Sequence, residues 1–179
     1  MEKLEQMKPF SIEAPCIGDE IALAPMHLQA WKESYITPDS GLTSEMIDNM
    51  LGEMLADTDF RKNTIAESLS NPDKVLYRVV KNSNGSIVGF LHGDKNETYN
   101  ELEGLYLLDE VKGSGIGGTL MEEFLSWIDA EKPCRLDVFS FNERAIAFYT
   151  KYGFKKTDKP AQMYKDTLPF IEMVRPIIK

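Results

Sequence analysis

Residues 105–118, Leu-Tyr-Leu-Leu-Asp-Glu-Val-Lys-Gly-Ser-Gly-Ile-Gly-Gly, pass from an apolar, strand-like segment through an acidic turn into four glycines spread over six positions. Beyond them Ile116, Leu120, Phe124 and Ile128 recur four residues apart, the spacing of one buried helix face, over a predicted helix of about residues 115–129. The next strand-like segment is residues 135–140. A strand that turns straight into an amphipathic helix and then into another strand carries the chain back over its own sheet, which favours at least one parallel strand pair. The class is therefore α/β.

The remaining elements follow from period and punctuation. Residues 10–14 alternate as a first strand does, behind a loose arm over residues 1–9. Pro25 suits the first turn of a helix that carries Met26, Ala30, Trp31 and Tyr35 and ends near Thr37-Pro38. Residues 43–55 form a second helix, capped by Thr43 or Ser44, whose methionines fill core, and residues 59–70 a shorter third, halted by Asn71-Pro72. The period then changes. Residues 75–81 and 86–93 flank Asn84-Gly85, a pair that accepts positive φ in a tight hairpin, and residues 101–108 continue as a third strand. Residues 142–152 read as a helix capped by Asn142 and stopped by Gly153, with closing strands at 154–158 and 170–175. No repeat or linker divides the 179 residues, so a single domain is expected.

Composition narrows the partners. Twenty Lys plus Arg against 29 Asp plus Glu give a net charge of −9, a field that repels nucleic acid and favours cationic small molecules or basic peptides. Neither a signal segment nor an apolar run of membrane-spanning length is present, so the expected setting is the cytoplasm, without membrane association. Cys16 and Cys134 stand apart from each other and from His27 and His92 in any metal-ligand spacing, so no metal is expected.

A helix normally opens on a capping side chain, because its first four N–H groups lack intrahelical partners. Here the lead-in is Lys112-Gly113-Ser114-Gly115-Ile116-Gly117-Gly118. With so few side chains in the way, successive amides can turn toward one anion, aided by the helix dipole and by Lys112, and phosphate is the natural guest. The P-loop pattern is absent, since no Gly-Lys is followed by Ser or Thr. Gly113-x-Gly115-x-x-Gly118 matches the dinucleotide fingerprint formally, but past the middle of the chain, after a hairpin, and with only Asp137 near the position of the ribose-binding acid.

A second motif, residues 142–154, follows about two dozen residues later. Together the two resemble the GNAT superfamily of N-acetyltransferases, whose cofactor loop reads [QR]-x-x-G-x-[GA] and whose next helix reads N-x-x-A-x-x-x-Y-x-x-x-G-F. Lys112, Gly115 and Gly117 match the first, with Lys in place of Arg or Gln; Asn142, Ala145, Tyr149, Gly153 and Phe154 match the second throughout. Asp109 stands where proline is common. The likeness covers about residues 77–175, and upstream it rests on residues 27–35 alone.

The resemblance implies a mixed, mostly antiparallel sheet with a central splayed parallel strand pair, flanked by helices. It implies acetyl-CoA as cosubstrate, with its pyrophosphate on residues 112–118, its pantetheine arm along the strand end that includes Leu107 and Leu108, and Asn142 touching it. An N–H near Leu107 would stabilise the oxyanion, an interaction worth roughly 3 kcal/mol. Tyr149 occupies the position of the general acid at sulfur. Glu101 aligns with a family carboxylate and is the expected general base, with Glu103 on the same strand face, His92 or a water relay as alternatives. Trp31 and Tyr35 would wall the acceptor pocket, though a core role suits both equally.

The expected activity is acetyl transfer to a primary amine by direct attack in a ternary complex, which needs no enzyme nucleophile. The acceptor is a small amine such as a polyamine, or a peptide amine, and the reading leaves room for a homodimer. The rivals are a non-catalytic acyl-CoA sensor of the same fold and a nucleotide-binding oxidoreductase.

Overall fold

The segment from Val75 is apolar at nearly every position, and the computed structural model, which describes residues 9–38 and 40–177, shows why. Strand β2 (Val75–Asn82) lies inside a sheet covered on both faces. Leu76 and Val80 point into one core, Tyr77 and Val79 into another. The expected arm over residues 1–9 lies almost wholly outside the described residues.

The other strands are β1 (Phe10–Glu13), β3 (Ile87–Lys95), β4 (Asn100–Leu107), β5 (Cys134–Phe139), β6 (Lys155–Lys156), β7 (Gln162–Tyr164) and β8 (Leu168–Arg175). Their order is β1-β2-β3-β4-β5-β8-β6, with β7 also on β8. Every pairing is antiparallel except β4 with β5. Helices α4 (Ile116–Trp127) and α5 (Glu143–Lys151) cover one face through Leu120, Met121, Phe124 and Tyr149. Helices α1 (Asp19–Tyr35) and α3 (Thr58–Ser70) cover the other through Leu23, Met26, Ala30 and Ile65. Helix α2 (Ser44–Ala56) packs Ile47, Leu51 and Leu55 beside Trp31, Tyr35 and Phe139. The fold is thus the mixed, mostly antiparallel one expected. No described helix is long and apolar enough to cross a membrane.

Two boundaries differ from the sequence expectation. Helix α1 starts at Asp19, so Pro25 lies inside it and not in its first turn. The start is fixed upstream of the proline, where the Cys16 N–H donates to Asp19 (2.9 Å) and the Gly18 N–H to Glu20 (2.6 Å). At the other end β7 and an extended β8 form an unexpected hairpin. Its turn holds Lys165 and Asp166 at φ 46° and 55°, without the glycine that usually announces such a bend.

The parallel pair sets up everything else. Strands β4 and β5 pair only at Asn100 with Cys134 and Glu101 with Arg135, then diverge. Fully buried Asn100 sews the closed end: its Nδ2 donates to the carbonyls of Asp129 (2.9 Å) and Lys132 (3.2 Å), and its Oδ1 accepts from the Asp129 N–H (3.0 Å). Arg135 adds bonds to Glu101 (3.1 and 3.3 Å) and to the Tyr99 hydroxyl (2.7 Å).

Candidate active site

The divergence of β4 from β5 opens a cleft of about 1870 Å³, walled by both strands, by α1 and α3, and by the starts of α4 and α5. Single-ligand pockets usually hold about 300–1,000 Å³, so this space accommodates a nucleotide-sized molecule and a second ligand.

Three kinds of hydrogen-bond donor face the cleft without an acceptor among the described residues. The first is strand backbone. The Leu108 N–H donates to the Val88 carbonyl on β3 (2.9 Å), and alternation along an antiparallel ladder then turns the Leu107 N–H the other way, into the gap toward β5. Leu107 lines the cleft; Leu108, expected beside it at the cofactor, does not, and its amide is already committed.

The second is the glycine turn. Gly113 and Gly115 hold φ at 87° and 90°, a left-handed geometry costly for any other residue, and no side chain caps α4. The amides of Gly113, Gly115, Gly117 and Gly118 find no protein acceptor among the described residues, and all four line the cleft. Ser114 and Ile116, expected to share this role, behave differently. The Ser114 N–H donates to the Val111 carbonyl (3.1 Å) and the Ile116 N–H to Ser114 Oγ (3.4 Å), so these residues shape the turn instead. Lys112 reaches the cleft, but its ammonium is already paired with Asp109 (2.6 Å) and near Ser34 Oγ (3.4 Å).

The third is Tyr149. Its ring is buried against Phe148 and Phe154, yet its hydroxyl has no hydrogen-bond partner among the described residues, and the residue lines the cleft. Burial, then the neighbouring Tyr106, raises its pKa, so the phenol keeps its proton throughout the neutral range. Asn142 caps α5 by accepting the Ala145 N–H (3.1 Å) and lines the same wall.

The carboxylates divide. Glu101, the expected base, lies outside the cleft, its oxygens held by Arg135 at the closed end. The parallel register, invisible in one strand alone, sets an arginine beside it. Past it β4 bulges, where the partner register shifts between His92 and Gly93. Glu103 therefore reaches the cleft, together with His92 and Asp94. Burial, then the charge of Glu101, raises the Glu103 pKa, while His92 opposes the rise. Asp137 on β5, which sequence reasoning did not assign to the site, also lines the cleft, with a pKa raised first by burial.

Trp31 and Tyr35 are 5% and 6% exposed and mainly pack against each other and Phe139, although both edges touch the cleft. Beside them lies a group the sequence did not announce: His27 on α1, Arg61 on α3, and Tyr77, Phe90 and Tyr106 on the sheet, all lining the cleft. Only their spatial convergence marks them.

The model of the family described as acetyltransferase (GNAT) matches residues 42–154. No curated protein sequence matches. Among solved structures, a PaiA N-acetyltransferase from Thermoplasma acidophilum in complex with coenzyme A is 25% identical, over 92% of this chain and 98% of that one, with a TM-score of 0.72. Ard1 from Thermoplasma volcanium is 22% identical over 96% and 100%, and an acetyltransferase from Thermus thermophilus is 18% identical over 94% and 97%, each with a TM-score of 0.59. The family match takes in β4, the glycine turn and α5, the parts that build the open end of the cleft, and the chain belongs to the acetyltransferase (GNAT) family.

Proposed function

We propose that the protein transfers an acetyl group from acetyl-CoA to a primary amine by direct attack within one cleft. The observation that carries this is the set of free donors on one continuous surface: the Leu107 N–H, the four glycine amides and the Tyr149 hydroxyl. The coenzyme A bound to the similar Thermoplasma acidophilum protein supports the choice of phosphate ligand.

Acetyl-CoA brings the thioester that the amine attacks. The glycine amides and the positive end of α4 bind the pyrophosphate. The Leu107 N–H holds the negative charge that develops on the carbonyl oxygen. Glu103 takes the proton from the amine, directly or through one water, and its raised pKa makes it a stronger base than an ordinary surface carboxylate. Tyr149 delivers a proton to the departing sulfur. The absence of a suitable nucleophile among the cleft residues favours direct attack: Cys134 is buried at the closed end, where burial pushes its thiol up to about 12.

Two measurements test the reading. Calorimetry on the intact protein should detect coenzyme A binding, and a panel of primary amines should yield at least one acceptor that consumes acetyl-CoA. Binding without turnover of any amine would instead identify an acyl-CoA sensor, and no binding would remove both.

A further inference from the structure

His27 sits between two groups that can only donate. The Trp31 indole N–H points at its Nε2 (3.1 Å) and an Arg61 guanidinium nitrogen lies 3.2 Å from its Nδ1. Burial, then the charge of Arg61, pushes the imidazole down to about 3, so the ring is neutral with one N–H and one lone pair. One of the two contacts must therefore set donor against donor. Trp31 is 5% exposed and packed against Tyr35 and Phe139, so its indole cannot turn away and takes the lone pair. With the lone pair assigned to the Trp31 bond, the His27 proton lies on Nδ1, facing Arg61.

Arg61 is equally short of acceptors. It makes no ion pair among the described residues, although the chain carries 29 acidic side chains. Its other amino group donates to the Tyr77 hydroxyl (3.2 Å), whose own proton finds no acceptor among the described residues. The guanidinium carbon lies 5.6 Å from the Phe90 ring centroid. Three donors thus converge on the cleft wall: His27 Nδ1–H, the Arg61 fork and Tyr77 O–H. An anionic oxygen placed among them would satisfy all three and relieve the His27–Arg61 conflict.

The geometry points to a carboxylate-binding subsite, formed by Arg61, His27 and Tyr77, that selects amine acceptors bearing a carboxylate at their far end. This deepens the acetyltransferase reading and rests on it for the amine. Phe90, under Arg61, and His92, whose partner Gly104 adjoins Glu103, are two residues apart on β3. The guanidinium and the proposed base therefore stand at different points along β3, whose residues rise about 3.4 Å each, and not at one point in the cleft. The span suits a short ω-amino acid better than an α-amino acid, whose two charges are adjacent. The same guanidinium disfavours a diamine, whose second ammonium would meet it.

A ladder of ω-amino acids from glycine to aminocaproate, each run against the alkylamine and the diamine of equal length, tests the proposal. The mid-length amino acids should be acetylated in preference to both. In Arg61→Gln their kcat/KM should fall about tenfold or more, chiefly through KM, while that of the alkylamines stays within about twofold. Tyr77→Phe, which keeps the ring and removes one donor, should move selectivity the same way by less. Preferential use of diamines, or an equal effect of Arg61→Gln on all three series, would overturn the subsite and leave the acetyltransferase reading standing. Calorimetry with butyrate separates the two claims: butyrate binding that is lost in Arg61→Gln, with no amine turned over, would support the subsite and remove the enzyme.

Discussion

The two ends of the β4–β5 pair do opposite things with the same kind of backbone. At the closed end the side-chain nitrogen and oxygen of Asn100 are engaged, and Glu101 is locked to Arg135. At the open end the Leu107 N–H, four glycine amides and the Tyr149 hydroxyl have no partner among the described residues, and the His27–Arg61 contact sets donor against donor. Unmet hydrogen-bonding groups reduce stability unless a ligand or water meets them, so the open end is kept for binding while the closed end holds the strands at the angle that exposes it.

The sharpest way to break this division is Asn100→Ala. It strips partners from the carbonyls of Asp129 and Lys132 and from the Asp129 N–H in a fully buried place. Urea unfolding should report a loss of about 3 kcal/mol. At the open end Tyr149→Phe should do the reverse: kcat should fall roughly a hundredfold, with coenzyme A affinity within about twofold and an unchanged urea midpoint, since the hydroxyl has no hydrogen-bond partner among the described residues. A large loss of stability in Tyr149→Phe would show that the open end is structural after all.

These ends were unequally legible in the sequence. Gly113, Gly115, Asn142 and Tyr149 stand in local geometry, a left-handed turn, a cap and one helix face, so the resemblance of their spacing to the family's motifs singles them out. Glu101 and Glu103 share the parity of one strand, and no alternation rule can choose between them. Their surroundings are set apart by the parallel register that brings Arg135 beside Glu101 and by the bulge beyond it, both set by other segments. His27, Arg61 and Tyr77 come from α1, α3 and β2, three elements whose meeting depends on how helices pack on the sheet. Nothing in their spacing announces a site. Pro25 misled for a simpler reason: the carboxylates of Asp19 and Glu20 fix the helix start ahead of it.

The open end should also cost stability in acid. His27 titrates near 3 when folded and near 6.5 when unfolded, so its contribution is present above about pH 6.5 and is lost as protons bind the unfolded chain below it. Between pH 7 and pH 5 this amounts to about 2 kcal/mol, read as the difference between urea curves of the wild type and of His27→Gln at the two pH values.

The smallest expected effect joins the two ends. Glu101→Gln removes the charge that, after burial, raises the Glu103 pKa, and it frees Arg135 to act on the same carboxylate with the opposite sign. Both changes stabilise ionised Glu103. A base must be ionised to accept a proton, so the acid limb of the kcat/KM profile should move to lower pH, by less than about one unit, with the plateau nearly unchanged. If Glu101 were itself the base, the plateau would collapse and the limb would vanish with it. The two outcomes differ in kind, so one pH profile on one variant decides which glutamate takes the proton.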